Sequence, residues 1–467
     1  MVAGGAGGDA LCGLPAQVLA GRIRAGEVSA TEALEAHLAR IARRNPALNA
    51  VVSLDVAAAR AAARAADARR RAGERLGPLH GVPMTLKDGH DVAGLRTTVG
   101  LAAMDRVADE DGTVAARLRA AGAIVFGHSN VAAGLGDFLQ TENPLFGRTN
   151  NPWDTGRTAG GSSGGAAAAV AAGLTPLEVG SDLAGSVRAP AHFCGVYGLK
   201  TTEHRVSLDG FFRPPAGAPR PVRIMSCPGP LARDLGGLRL ALDVLAGPDG
   251  RDGDVPPVPL AAAAPLPLAG LRLALTPALP GAPVAGDVRR RMERVAAGPA
   301  AAGARVLERL PEVDWAAQDG LFVELVTAIT GVLDPDSDLR PEQRTLAWYL
   351  DALDRRDRSG AIWAAFFEEV DALLLPTALG GAFTHRPTGS PVTLDGAPVS
   401  YWAFGRTLAF ANLLGLPALS VPAGAGEDGL PLGLQIVGPR WSETRLLAIA
   451  GALEDAEVLP GFAPPPG

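Results

Sequence analysis

The chain reads as an α/β protein with helices covering both faces of one sheet. Short apolar segments bounded by glycine or proline, at 81–87, 176–180 and 371–378, have the length and composition of buried strands. Between them lie longer stretches with apolar residues at helical spacing. Strand-like and helix-like segments alternate from end to end, the pattern that sets helices on both sides of a sheet. With 467 residues, 47% apolar and 20% charged, the chain can bury a large core and is not disordered.

Taken in order, residues 1–10 read as a loose tail. Ser29-Ala-Thr-Glu32 is a capping box opening a helix with Leu34, Leu38 and Ile41 on one face, which Asn45-Pro46 should end. A second helix, rich in alanine and arginine, covers 56–73. The segment 81–87 is a short strand ending on Lys87. A helix over 114–121, Gly122 and the strand AIVFG make one α-to-β step, followed by a long Asn/Pro/Gly loop at 141–157. Alanine-rich 166–172 is helix, stopped by Gly173, and 176–180 is strand. Residues 211–230 form a proline-laden loop that could wall a site. GPLARDLGGLRLALDVLAGPD reads as helix, 251–267 as a linker, 271–275 as strand and 288–302 as helix. Residues 371–378 are strand, 411–424 helix then strand, and 432–454 strand, turn and helix.

Composition excludes several classes. A net charge of −6 argues against nucleic-acid binding as the main activity. Three cysteines (Cys12, Cys194, Cys227) can make neither a disulfide framework nor a CxxC zinc site, which points to a reducing, cytoplasmic setting. The first twenty residues lack a basic n-region and include Asp9, so no secretory signal is expected, nor a membrane span. The scarcity of aromatics and the excess of Ala, Gly, Pro and Arg read as compositional bias.

The chemistry concentrates in RTAGGSSGG–AAAAVAAGLTPLE–VGSDLAGSVRAPAHFCGVYGLK, residues 157–200. Two glycine-framed serine sites, Ser162/Ser163 and Ser186, flank one helix and one strand. Glycine beside serine lets the backbone approach a substrate and turn its N–H groups inward, which suits an oxyanion hole. GGSSG also fits the G-x-S-x-G nucleophile elbow, but the DTGRTA before it is not the strand that elbow requires. No Gly-Lys-Ser/Thr follows, so it is not a phosphate loop. His80, His90, His128 and His192 lie near these motifs and read as packing or loop histidines. No H-E-x-x-H or acidic cluster suggests a metal, and no cofactor is expected.

GGSSGG followed by GSDxxGSxRxPAxFCGxxGLK resembles the amidase signature family of Ser-cisSer-Lys hydrolases. HGVPMTLKDGHDVAG supplies the lysine which that resemblance requires upstream. The resemblance implies a single large α/β/α unit with a mixed, twisted central sheet over 11–467. Within it would lie N-terminal helices (11–73), a catalytic core (74–205), variable loops (206–345) and C-terminal strands and helices (346–467). It further implies Ser186 as nucleophile, Ser162 as proton relay after a cis peptide bond, and Lys87 as general base. The N–H groups of Leu183, Ala184, Gly185 and Ser186 would form the oxyanion hole, with Ser163, Asp182 and Arg188 in support. A serine needs such a base, and a lysine can be one only when its pKa is depressed.

Two positions depart from the pattern: Ala184 stands where glycine is usual, and Thr201 where proline is common. The implied activity is hydrolysis of a carboxylic amide to the acid and ammonia or amine, with a small-molecule amide as partner and room for a homodimer. Two alternatives stand beside it: the amidase subunit of a tRNA-dependent amidotransferase, and a catalytically silent binding protein on the same fold.

Overall fold

The computed structural model describes residues 6–213, 220, 222–262, 264–332 and 337–466. Its main sheet has eight strands. In spatial order these are Arg305–Leu307, Arg272–Leu275, Ala372–Pro376, Pro431–Val437, Ala418–Ala425, Tyr197–Lys200, Cys227–Ala232 and Leu177–Asp182. The pairing is mixed: Arg272–Leu275 runs parallel to both its neighbours, and the remaining pairs are antiparallel. A separate three-stranded sheet holds Val51–Leu54, Ile124–Ser129 and Pro83–Lys87, with Lys87 opposite Ser129.

The expected single sheet is therefore divided at one place. Side chains join the Pro83–Lys87 strand to the end strand Leu177–Asp182 of the large sheet. Thr85 Oγ1 donates to Glu178 at 2.7 Å, and Lys87 Nζ to Ser181 Oγ at 2.8 Å. This seam is buried throughout, so every polar side chain in it needs a protein partner.

The glycine-framed helix is Gly164–Ala171, preceded by Ser163, whose side chain does not cap it, and followed by Gly173 at φ +70°. Its sequence, GGAAAAVA, is wholly buried, and small side chains allow the sheets to close on it. The capping box forms as expected: Glu32 N donates to Ser29 Oγ at 3.0 Å and Ser29 N to Glu32 Oε2 at 2.8 Å.

Several expectations are corrected. Part of the supposed tail is helix, Ala6–Cys12, where Asp9 pairs with Arg40 and Arg43; residues 1–5 lie outside the described residues. Pro46 does not end its helix, which runs Ala30–Leu48 and closes at Asn49 in the left-handed region. A proline in the last turn removes only one hydrogen bond, and Asn45 Oδ1 accepts from the Ala50 and Val51 amides.

The segment CPGPLA is strand, and the helix after it begins only at Leu235 behind the Asp234 cap. The loop at 141–157 contains a small hairpin, Glu142–Asn143 against Gly147–Arg148. Two long helices, Trp315–Gly331 and Leu346–Glu369, were not anticipated. The first is apolar over most of its circumference, and charges interrupt the apolar period of the second. Trp363 on the second stacks on Phe410 with ring centroids 4.7 Å apart and Trp315 on the first meets Phe410 edge-on, tying both helices to Arg406–Leu413. No described helix is long and apolar enough to cross a membrane.

Candidate active site

Lys87 ends its strand fully buried, and its Nζ donates to Ser162 Oγ at 2.7 Å and to Ser181 Oγ at 2.8 Å. Burial pulls its pKa from the usual lysine value down to about 7, against the opposing charges of Asp182 and Glu178. The lysine can therefore lose its proton near neutrality. It is one of only two lysines in the chain. The other, Lys200, is also fully buried and donates to the carbonyls of Thr201 and Leu416.

Ser162 follows a cis peptide bond from Gly161. Only glycine fits at 161, since a Cβ there would lie 2.1 Å from the Gln140 carbonyl oxygen. Ser163 points away from the cavity into the seam. Its Oγ donates to Ser181 O at 3.3 Å and accepts from Ser181 N at 3.4 Å. It thereby fixes the serine that holds Lys87.

Ser186 is 5% exposed and sits between the Leu177–Asp182 strand and the helix Arg188–Cys194. Its carbonyl accepts from Ser163 N at 3.3 Å, which ties the two serine loops together. Ser186 Oγ makes no hydrogen bond to Ser162 among the described residues, although both open on one cavity.

Asp182 and Arg188 form the frame of the Ser186 loop, both fully buried. Asp182 accepts from Arg188 Nε at 3.0 Å and Nη2 at 2.9 Å, from Gly185 N at 2.8 Å and from Val187 N at 3.1 Å. Burial alone would push this carboxyl up. The Arg188 charge and hydrogen bonds outweigh it, with Lys200 and Asn412 adding to them, and hold the group below the usual carboxylate range. Arg188 also donates to Gln435 Oε1 and Asn412 Oδ1.

The expected four-donor set is narrowed here, because the Gly185 N–H is directed to Asp182. Among the described residues no acceptor takes the N–H groups of Leu183, Ala184 or Ser186. Gly185 itself is required at φ +108°, where a Cβ would lie 2.4 Å from Leu408 Cδ1. Ala184 is not in that region, so its methyl is accommodated without strain and lies on the cavity wall.

The cavity, about 1060 Å³, is lined by Ser162, Ser181 and Ser186 at its base. Phe138, Phe322, Val326 and Trp402 are among its apolar walls, and Phe211, Phe212 and Val222 come from the proline-rich loop. Of that loop, 214–219 and 221 lie outside the described residues. Asp319 and Arg406 are the charged lining residues among those described, paired at 3.4 Å.

The four histidines bind backbone groups. His192 Nδ1 accepts from Gly433 N at 2.8 Å, so Nε2 carries the hydrogen and donates to Gly380 O at 3.0 Å. His80, His90 and His128 likewise contact carbonyls.

Sequence reasoning missed Ser181, Glu178, Asn412 and Gln435. Ser181 and Glu178 stood in the quoted stretch, and the scarcity of lysine in so arginine-rich a chain was a further available signal. Asn412 and Gln435, over two hundred residues from Asp182, carried none.

A depressed lysine held between serine hydroxyls, near a third serine whose loop leaves backbone amides free, is an arrangement that a serine-lysine hydrolase could use. The comparisons specify its kind. The amidase family model matches residues 32–333 and 338–447. Indoleacetamide hydrolase of Bradyrhizobium diazoefficiens is 36% identical over 93% of this chain and 85% of its own length. A glutamyl-tRNA(Gln) amidotransferase subunit of Symbiobacterium thermophilum is 35% identical over 92% and 94%. A bacterial aryl acylamidase of the amidase signature family superposes with a TM-score of 0.82 at 27% identity, over 95% of this chain and 96% of that one. The chain belongs to the amidase family, and it is an enzyme that hydrolyses amides.

Proposed function

We propose that this enzyme cleaves a carboxylic amide bearing an apolar acyl group through an acyl-enzyme on Ser186. The observation that carries the reading is Lys87, fully buried and 2.7 Å from Ser162 Oγ. Neutral Lys87 takes the Ser162 proton as Ser162 takes that of Ser186, and Ser186 Oγ attacks the amide carbon. The oxyanion meets the N–H groups of Leu183, Ala184 and Ser186, donors whose preorganisation costs nothing at the moment of reaction. The proton on Lys87 then passes back through Ser162 to the leaving nitrogen, and ammonia or an amine departs. Water repeats the sequence to release the acid.

Ser163 holds Ser181, and Asp182 with Arg188 holds the Ser186 loop, so these three act by support. The apolar walls favour an aliphatic or aromatic acyl group, in keeping with burial of most of a ligand in such a pocket. Three free, buried cysteines support a reducing, cytoplasmic setting.

One observation favours a second reading, the likeness to a tRNA-dependent amidotransferase component. On that reading glutamine would be the substrate, and the chain alone would be a poor enzyme. The test is release of ammonia by the purified chain from a panel of aliphatic, aromatic and amino-acid amides. Turnover of apolar amides supports the first reading. Activity on glutamine alone, and only with partner chains, supports the second.

A further inference from the structure

Glu178 is fully buried, belongs to the strand facing Lys87, and has no part in the proton path above. Its Oε1 accepts from Thr85 Oγ1 at 2.7 Å and its Oε2 from the Val179 amide at 3.0 Å. Thr85 and Lys87 are two residues apart on one strand and so point to the same side, which directs both at the Leu177–Asp182 strand. Ser129 Oγ lies beside the carboxyl without a hydrogen bond of normal geometry. Among the described residues no arginine, lysine or histidine lies in ion-pair range of Glu178. A buried carboxyl without a cationic partner is costly, and a stretch that needed only packing would be served by an apolar side chain.

We propose that Glu178 is a positioning residue for the base, its buried carboxyl setting the pH at which Lys87 gives up its proton. The inference rests on the reading of Lys87 as the base. Of the other groups around the lysine, Asp182 acts on it in the same direction and more strongly. Asp182, however, is paired with Arg188 and stays ionised, so it is a constant background, whereas Glu178 has no such partner and can change its charge. His90 is kept neutral, its pKa driven by burial to about 3. His128, on the adjoining Ile124–Ser129 strand, turns to the carbonyls of Arg96 and His90. The Gly164–Ala171 helix carries no titratable side chain.

Burial raises Glu178 to about 7, against the Thr85 hydroxyl, the Val179 amide and the Lys87 charge, so it titrates in the same range as Lys87. Two interacting groups of this kind lose their protons as a pair. With Glu178 ionised the proton stays longer on Lys87; with Glu178 neutral it leaves sooner.

The presence of two lysines allows a direct test. Protein labelled with ¹³C at lysine Cε gives two lysine resonances, assigned with Lys87→Arg and followed against pH. In Glu178→Gln the Lys87 midpoint should fall by about one pH unit, the lower end of what a nearby opposite charge supplies. The rising limb of kcat/KM should move to lower pH by the same amount, with its plateau kept. Should Glu178→Gln fail to fold, Thr85→Val carries the same test. Losing the hydroxyl makes the carboxyl take up its proton more readily, and the Lys87 midpoint again falls. A midpoint that stays or rises overturns the proposal, whatever happens to the plateau. The resonance reports Lys87 without catalysis, so a shifted midpoint in an enzyme whose activity does not depend on Lys87 would remove the general-base reading and leave the coupling standing.

Discussion

The seam between the Pro83–Lys87 and Leu177–Asp182 strands and the wall of the cavity are built from different materials. In the seam the chemistry-bearing side chains are buried and held by specific partners: Lys87 by two serines, Ser181 by Ser163, Asp182 by Arg188. The wall is apolar and partly open, with Val323 58% and Trp402 50% exposed. Low dielectric in the seam strengthens each polar contact and penalises any that is left unmade, so its geometry has few alternatives. Nothing comparable constrains the wall, where one apolar side chain can replace another at small cost. On the proposed function, chemistry would be fixed in one region and specificity adjustable in the other.

Substitutions in the two regions should differ accordingly. The largest effect is expected at Ser186→Ala, which should keep the fold and lower amide hydrolysis by several orders of magnitude. A fluorophosphonate should label Ser186 in the unaltered enzyme. Near-normal kcat in the variant would remove the nucleophile assignment. Next come Lys87→Ala and Lys87→Arg. The alanine variant should lose most activity and recover part of it at high pH, where hydroxide assists. Arginine should not restore it, because guanidinium stays protonated.

Arg188→Leu strips the buried Asp182 of its partner. It should cost about 3–5 kcal/mol of stability, read as a lower denaturation midpoint together with lost activity. Across the cavity, Val323→Trp should raise KM for bulky amides about tenfold while leaving kcat on a small amide unchanged, the scale of discrimination available to an apolar pocket. The smallest effect is expected from Ala184→Gly. It leaves the backbone donors in place, so the rate should change only a few-fold and the binding of bulky acyl groups more. Equal losses of kcat at the wall and in the seam would end the distinction between them.

The same division governed what could be read from the sequence. The places of Lys87 at a strand end and of Ser162 and Ser186 in loops beside a helix and a strand were legible because glycines and short apolar runs mark those turns and strands. The Asp182–Arg188 pair was legible as two charges in a segment otherwise apolar. The partners Asn412 and Gln435 were not, because tertiary contact alone brings them to Arg188. On the wall, Trp315–Gly331 is apolar nearly all round and gives no clear helical period. Leu346–Glu369 buries Trp363, Phe366 and Phe367 behind a run of charges. Both were missed, and with the first went Phe322, Val323 and Val326 of the cavity lining. The proline at 46 misled for a different reason, since a helix tolerates proline where few hydrogen bonds remain to be lost.

The proposed mechanism depends above all on Lys87 being neutral when the enzyme works. A lysine in water titrates near 10.4, whereas burial brings this one to about 7. The neutral fraction, and with it kcat/KM, should rise with pH along one limb centred there. Titration of the ¹³C-labelled lysine resonance of the unaltered enzyme tests this directly. The expected midpoint is near 7 and coincides with the rising limb of kcat/KM. A midpoint near 10.4, with activity already at its plateau at neutral pH, would show that Lys87 works as a cation and would contradict its role as the base.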